Sequence, residues 1–251
     1  MERFSSFDGT MIAYRVSGEE DGPGAVLLHH GFASTSFINW VRPGLVDAVA
    51  GVGRRVVVVD ARGHGESDRS HDPAAYADGA MARDVGALLD HLDLDAVDMA
   101  GYSMGGLVAV GVALSEPRLR SLFLGGVGAA VALGQRADVF AHIAEALEAD
   151  DPSTIADSSA RAFRAFADAT RQDRLALAAV RRGGDQTRGQ DVSRIELPTV
   201  VVAGDRDTLA GDPAALAALI PGATSLVVPG DHLSAVVSSE FRDALVGWAR
   251  R

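Results

Sequence analysis

The chain has 251 residues, 47% of them hydrophobic, and a formal net charge of −11. That length is ample for one sizeable core, and the negative balance argues against nucleic acid or an anionic membrane surface as partner. There is no cysteine, and all 23 basic residues are arginine. Thiol nucleophiles, disulfides, thiolate metal sites, Schiff-base lysines and a phosphate-loop lysine are thereby excluded.

The first residues, MERFSSFDGTMIAYRVSG, lack the apolar core of a secretory signal, and no run elsewhere reaches transmembrane length. The expectation is a cytoplasmic protein acting on a small molecule, with no membrane and no nucleic-acid partner. Asp8-Gly9, between two strand-like pieces, predicts a hairpin at the front edge of a sheet. Strand-like runs follow at 12–16, 25–29, 56–59, 97–100, 121–124, 199–202 and 225–228. From GAVLLHH onward these runs are continuously apolar, as in strands covered by helices on both faces. With helix-like sequence between most of them, they predict an α/β fold with a mostly parallel central sheet. One interval breaks the rhythm: between about 128 and 192 there is only Ala- and Arg-rich helical sequence, too long for an ordinary crossover. It reads as a small helical cap at 128–192, inserted into a core formed by 1–127 and 193–251. Phe140, Ile143 and Leu147 recur there at helical spacing, as do Phe163, Phe166 and Ala167.

The stretch VDMAGYSMGGLVAV carries the strongest chemical signal. An apolar strand stops at a serine flanked by glycines and resumes at once as a helix. A side chain at Gly101 or Gly105 would collide where strand and helix nearly touch, so both positions must be small. The turn presents Ser103 at a helix N-terminus. A serine hydroxyl is a poor nucleophile at neutral pH and needs a base, an orienting carboxylate and donors for an oxyanion.

Each of these can be sought at the carboxyl ends of strands, where active-site groups gather in a parallel sheet. His232 lies just past the last strand, whereas His71, His91 and His142 fit surface positions and His64 fits a structural turn. Asp205 and Asp207 both follow the 199–202 strand; Asp207 is the favoured orienting group. Backbone N–H groups of Met104, after the nucleophile, and of Phe32, after the 25–29 strand, are the oxyanion candidates, with Gly31 allowing the turn. The chain order is then Ser, Asp, His.

The segments HHGFAS, DARGHGESD, GYSMGG, GDRD and GDH stand in the order and approximate spacing of the α/β-hydrolase superfamily. The chain resembles its serine-nucleophile branch of esterases, lactonases, perhydrolases and carbon–carbon bond hydrolases, over nearly its whole length except the cap. That resemblance implies a catalytic triad of Ser103, Asp207 and His232, an oxyanion hole at Phe32 and Met104, and no cofactor or metal. Epoxide hydrolases and haloalkane dehalogenases look similar but carry aspartate where Ser103 stands. The family often has glycine before its histidine; here it is Asp231, which either bears on His232 or points to solvent.

The expected activity is hydrolysis of a small, apolar carboxylic ester, lactone or thioester. Carbon–carbon bond hydrolysis and perhydrolysis are alternatives on the same triad, and a slow-turnover ligand-binding protein is the alternative of another class. Phe140, Phe163, Phe166, Leu175 and Leu177 could line a pocket or form the cap's own core. Arg161, Arg164, Arg171 and Arg174 could grip a substrate carboxylate, but their spacing also fits a solvated helix face, the reading preferred here.

Overall fold

A computed structural model describes residues 1–19, 24–133, 137–184 and 191–251, without the side chains of 131 and 137–141. Eight strands form one sheet: β1 (Glu2–Ser5), β2 (Met11–Ser17), β3 (Ala25–His29), β4 (Arg55–Asp60), β5 (Val97–Tyr102), β6 (Leu119–Gly125), β7 (Thr199–Gly204) and β8 (Thr224–Val228). Their order is β1-β2-β4-β3-β5-β6-β7-β8. β1 and β2 form the antiparallel hairpin around Asp8-Gly9, β2 is antiparallel to β4, and all later pairs are parallel. The strand β1 has only one buried residue, Phe4, which is too little patterning to give it bounds from sequence.

The helices are α1 (Leu45–Ala50), α2 (Ala80–His91), α3 (Met104–Ala113), α4 (Ala129–Ala132), α5 (Ala137–Glu148), α6 (Ser158–Ala169), α7 (Arg174–Gly183), α8 (Pro213–Ala217) and α9 (Ser239–Ala249). Every residue of β3 and β5 is buried, so these strands show no polar face to water. Alternate residues serve two cores. Leu27, Met99 and Leu124 pack with α2 and α3, while Val26, Leu28 and Phe123 pack with Trp40, Phe241 and Trp248 on the other side. Helix α3 is buried from Met104 through Val112, which explains its uniformly apolar sequence.

The chain passes from β3 to β4 on one side and then crosses to β5 on the other side of β3. Such a reversal leaves a crevice outside the carboxyl ends of the two strands that diverge from it. β5, β6 and β7 run one or two residues beyond their apolar runs, to Tyr102, Gly125 and Gly204, so their ends reach that crevice.

Helices α4 to α7 lie between β6 and β7. Asp157 and Asp173 cap α6 and α7 by accepting backbone N–H bonds, and α5 packs on both helices. Several contacts tie these helices to the sheet's loops. Phe163 meets Phe32 edge-on, with ring centroids 5.9 Å apart. The Thr170 hydroxyl donates to the Ala33 carbonyl at 3.2 Å, and the Gly65 N–H donates to Gln172 Oε1 at 3.1 Å.

Candidate active site

Ser103 is the apex of the turn between β5 and α3, with φ 52° and ψ −113°. A non-glycine residue at such angles is strained and persists only where its surroundings hold it. Its N–H donates to the Gly125 carbonyl at 2.7 Å, and its carbonyl accepts from Gly106 and Leu107. A Cβ on Gly101 would strike the Gly105 carbonyl, and one on Gly105 would strike the backbone of His29. The two glycines are therefore what permits strand and helix to approach closely enough to expose the hydroxyl.

Ser103 Oγ lies 2.9 Å from His232 Nε2. On the other edge of the ring, Nδ1 lies 2.8 Å and 3.0 Å from the two oxygens of Asp207. A carboxylate only accepts, so Nδ1 carries the proton and Nε2 is left to accept from the serine. Asp207 is itself held in place: its Oδ1 accepts the Leu209 and Ala210 N–H groups, and the residue is 4% exposed. Asp205, its sequence rival, accepts from the Gly230 N–H instead.

Asp231 is exposed and accepts from the Leu233 N–H and from both the N–H and hydroxyl of Ser234. Those bonds hold its carboxyl below the usual range. It shapes the turn that carries His232. Tyr102 was not singled out from sequence; its hydroxyl donates to the His232 carbonyl at 2.8 Å, and burial pushes its phenol pKa up.

The loop after β3 lies opposite. The Phe32 and Met104 N–H groups have no hydrogen-bond partner among the described residues. A Cβ placed on Gly31 would sit 3.5 Å from Ser103 Cβ, so the loop flanks Ser103 directly. The left-handed residue of this loop is Ala33, φ 58°, and not Gly31. Ala33 is held by its N–H donating to His64 Nε2 at 3.2 Å, and the Ala61 N–H likewise donates to His30 Nε2 at 3.0 Å. Burial lowers the pKa of both imidazoles. Both accept as neutral rings. His64 therefore supports the loop, which its position in a tight turn suggested only loosely.

A π-turn at Phe37–Val41 follows, closed by the Arg42 N–H to the Phe37 carbonyl at 2.8 Å. Turns of this kind recur at functional sites because they redirect side chains. Here Trp40 is fully buried against the back core, and Asn39 Oδ1 accepts the Gly31 N–H at 3.0 Å. The amide nitrogen Nδ2 of Asn39 is buried with no partner among the described residues.

A cavity of about 380 Å³ opens on Ser103 and His232, walled chiefly by Phe32, Ile38, Phe163, Phe166 and Val236. Of the aromatic and aliphatic candidates, Phe163 and Phe166 line it. Leu177 is in the core, Leu175 is exposed elsewhere, and the Phe140 side chain lies outside the described residues. None of the four helical arginines lines it. Arg161 and Arg171 are exposed, as a solvated face predicts. Arg164 departs from that reading: it is 5% exposed and donates to the Ala146 and Ala149 carbonyls and to Asp168, binding α6 to the end of α5. Arg174 donates to the Leu147 and Ala149 carbonyls, so it shares one acceptor with Arg164.

A nearly all-parallel sheet with an antiparallel first hairpin, a serine at the strand-to-helix turn and a histidine past the last strand define the α/β-hydrolase fold. A family model described as alpha/beta hydrolase fold matches residues 24–126. The chain has the α/β-hydrolase fold, and its 24–126 segment matches that family. It is 39% identical over 102 residues to the sn-1-specific diacylglycerol lipase ABHD11 of Mus musculus, a match covering 41% of this chain and 31% of the lipase. It thus spans about a third of the length of that curated relative. A hydrolase from Pseudomonas aeruginosa PA01 superposes with a TM-score of 0.79 at 29% identity, covering 98% of this chain and 95% of its own. The enol-lactonase from Burkholderia xenovorans LB400 superposes with a TM-score of 0.78 at 23% identity, over 98% and 97% of the two chains. No helix among the described residues is long and apolar enough to cross a membrane.

Proposed function

We propose that the protein is a serine hydrolase that cleaves a small carboxylic ester or lactone through an acyl-enzyme. The observation that carries the reading is the continuous relay from Asp207 through His232 to Ser103, with bonds of 2.8 Å and 2.9 Å. His232 Nε2 takes the hydroxyl proton as Ser103 Oγ attacks the carbonyl carbon. Asp207 keeps the ring in the tautomer that leaves Nε2 free, and stabilises the imidazolium that forms. The unpartnered N–H groups of Phe32 and Met104 receive the oxyanion, worth about 3 to 4 kcal/mol per donor in comparable sites. The proton on Nε2 then passes to the departing alkoxide. Water, deprotonated by the same nitrogen, attacks the acyl-enzyme and releases the acid. The α4 to α7 helices act as a cap whose Phe163 and Phe166 close the cavity over an apolar substrate portion.

A p-nitrophenyl ester series from acetate to octanoate, run on wild type and Ser103→Ala, tests this. Wild type is expected to prefer one acyl length, and Ser103→Ala to lose about a thousandfold or more in kcat. Equal rates in the two proteins across the series overturn the reading.

A further inference from the structure

Arg42 is the one charged side chain, His232 aside, among the residues lining the cavity at Ser103. No Asp or Glu lines that cavity. Arg42 is exposed, and among the described residues its guanidinium has no ion pair and no hydrogen bond. The chain has 34 acids to 23 arginines, yet the charge that lines this cavity is positive and no acid opposes it.

A second observation points the same way. Asn39 lines the same cavity at 5% exposure; its Oδ1 is engaged by the Gly31 N–H, and its Nδ2 is unpartnered. Arg42 keeps right-handed helical angles, φ −58° and ψ −39°, at the end of the π-turn that holds Asn39. The residues lining the cavity thus include two groups with unused N–H donors, the Arg42 guanidinium and the Asn39 amide, and no carboxylate. Their complement is an anion with acceptor oxygens, and Arg with an amide donor suits the planar, singly charged carboxylate.

We infer that the cavity takes esters or lactones bearing a free carboxylate, the anion held by the Arg42 guanidinium with the Asn39 amide beside it and the hydrocarbon between anion and ester lying against Phe163 and Phe166. This rests on the ester-cleavage reading for turnover, but the anion site itself does not require turnover. The carboxylate grip thus sits on the loop after β3 and not on the helical arginines.

The experiment uses Ser103→Ala, which holds an ester uncleaved, in calorimetric titration with monoethyl succinate, glutarate, adipate and suberate. The neutral controls are ethyl esters of monocarboxylic acids of matching length. At least one monoester is expected to bind about tenfold or more tighter than its neutral counterpart, since a charge-assisted bond is worth about that factor. The preference is expected to shrink as salt is raised and to vanish in Ser103→Ala/Arg42→Gln. In Ser103→Ala/Arg42→Glu the order should reverse toward a choline ester, a gain that a misfolded variant would not show. No preference for the carboxylate in Ser103→Ala, or one that survives Arg42→Gln, overturns the inference. Turnover by wild type separates the two readings: an Arg42-dependent monoester that binds but is never cleaved removes the esterase and leaves the anion site, whereas cleavage of neutral esters without anion preference does the opposite.

Discussion

At the scale of single residues, the two oxygens of Asp207 divide their work unequally. Oδ1 accepts the Leu209 and Ala210 N–H groups as well as His232 Nδ1, whereas Oδ2 is bonded to the imidazole alone. Asp207→Asn keeps an oxygen for the two backbone donors but places an NH₂ toward Nδ1, which favours the tautomer with its proton on Nε2. A loss of about ten thousandfold in kcat is expected, with the melting temperature nearly unchanged. Ester hydrolysis and a thermal melt on the same preparation check both halves; retained activity would remove Asp207 from the mechanism. Ser103, His232 and Asp207 were legible because each follows a strand run and carries chemistry in its own side chain. Asn39, Tyr102 and Arg42 were not. Asn39 works by bonding the backbone at Gly31, Tyr102 by bonding a carbonyl 130 residues away, and Arg42 by lacking a partner. None of these leaves a mark in local sequence.

At the scale of elements, the two ends of the sheet are held by different means. The carboxyl ends carry the loops of the candidate site, while the start of β4 is locked by Arg54, which is 3% exposed. Its guanidinium pairs with Asp98 at the start of β5 and donates to the Ala249 carbonyl at 2.6 Å, where α9 ends. Asp98 also accepts from Arg120 and Ser121. Asp98→Ala leaves a buried cation uncompensated and is expected to cost about 3 to 5 kcal/mol of stability. Urea denaturation measures it; a loss under about 1 kcal/mol would mean that the other acceptors of Arg54 suffice. The parallel strands were readable from their apolar runs, and α3 from its unbroken apolar sequence. β1 was foreseen as one arm of the Asp8-Gly9 hairpin but without bounds, because it buries only Phe4, and the π-turn at Phe37–Val41 escaped, since its i to i+5 repeat matches neither helical nor strand periodicity. The helical arginines misled for a related reason, since Arg164 is spaced like a surface residue but is buried against carbonyls at the end of α5.

At the scale of the whole molecule, three buried histidines set the response to acid. His29 is pushed down to about 3 by burial, and His30 and His64 are also lowered by burial. In the unfolded chain each takes a proton near its ordinary value of 6.5. Below that value the unfolded state binds more protons, so their contribution to stability is complete above about 6.5 and is progressively lost as pH falls below it. Relief of the −11 net charge by protonation would act in the opposite direction. Urea midpoints measured from about pH 7.5 down to about pH 5 are expected to fall steadily; a flat or rising midpoint would show that charge relief wins. The groups brought together at the candidate site also come from distant parts of the chain, with His232 separated from Ser103 by 129 positions and following β8, the strand at the far edge of the sheet. During synthesis the turn that presents Ser103 is therefore made long before His232 exists. Under the proposed mechanism the hydroxyl has the reactivity of any alcohol until β8 docks, so covalent labelling of Ser103 would count only molecules whose last strand is in place.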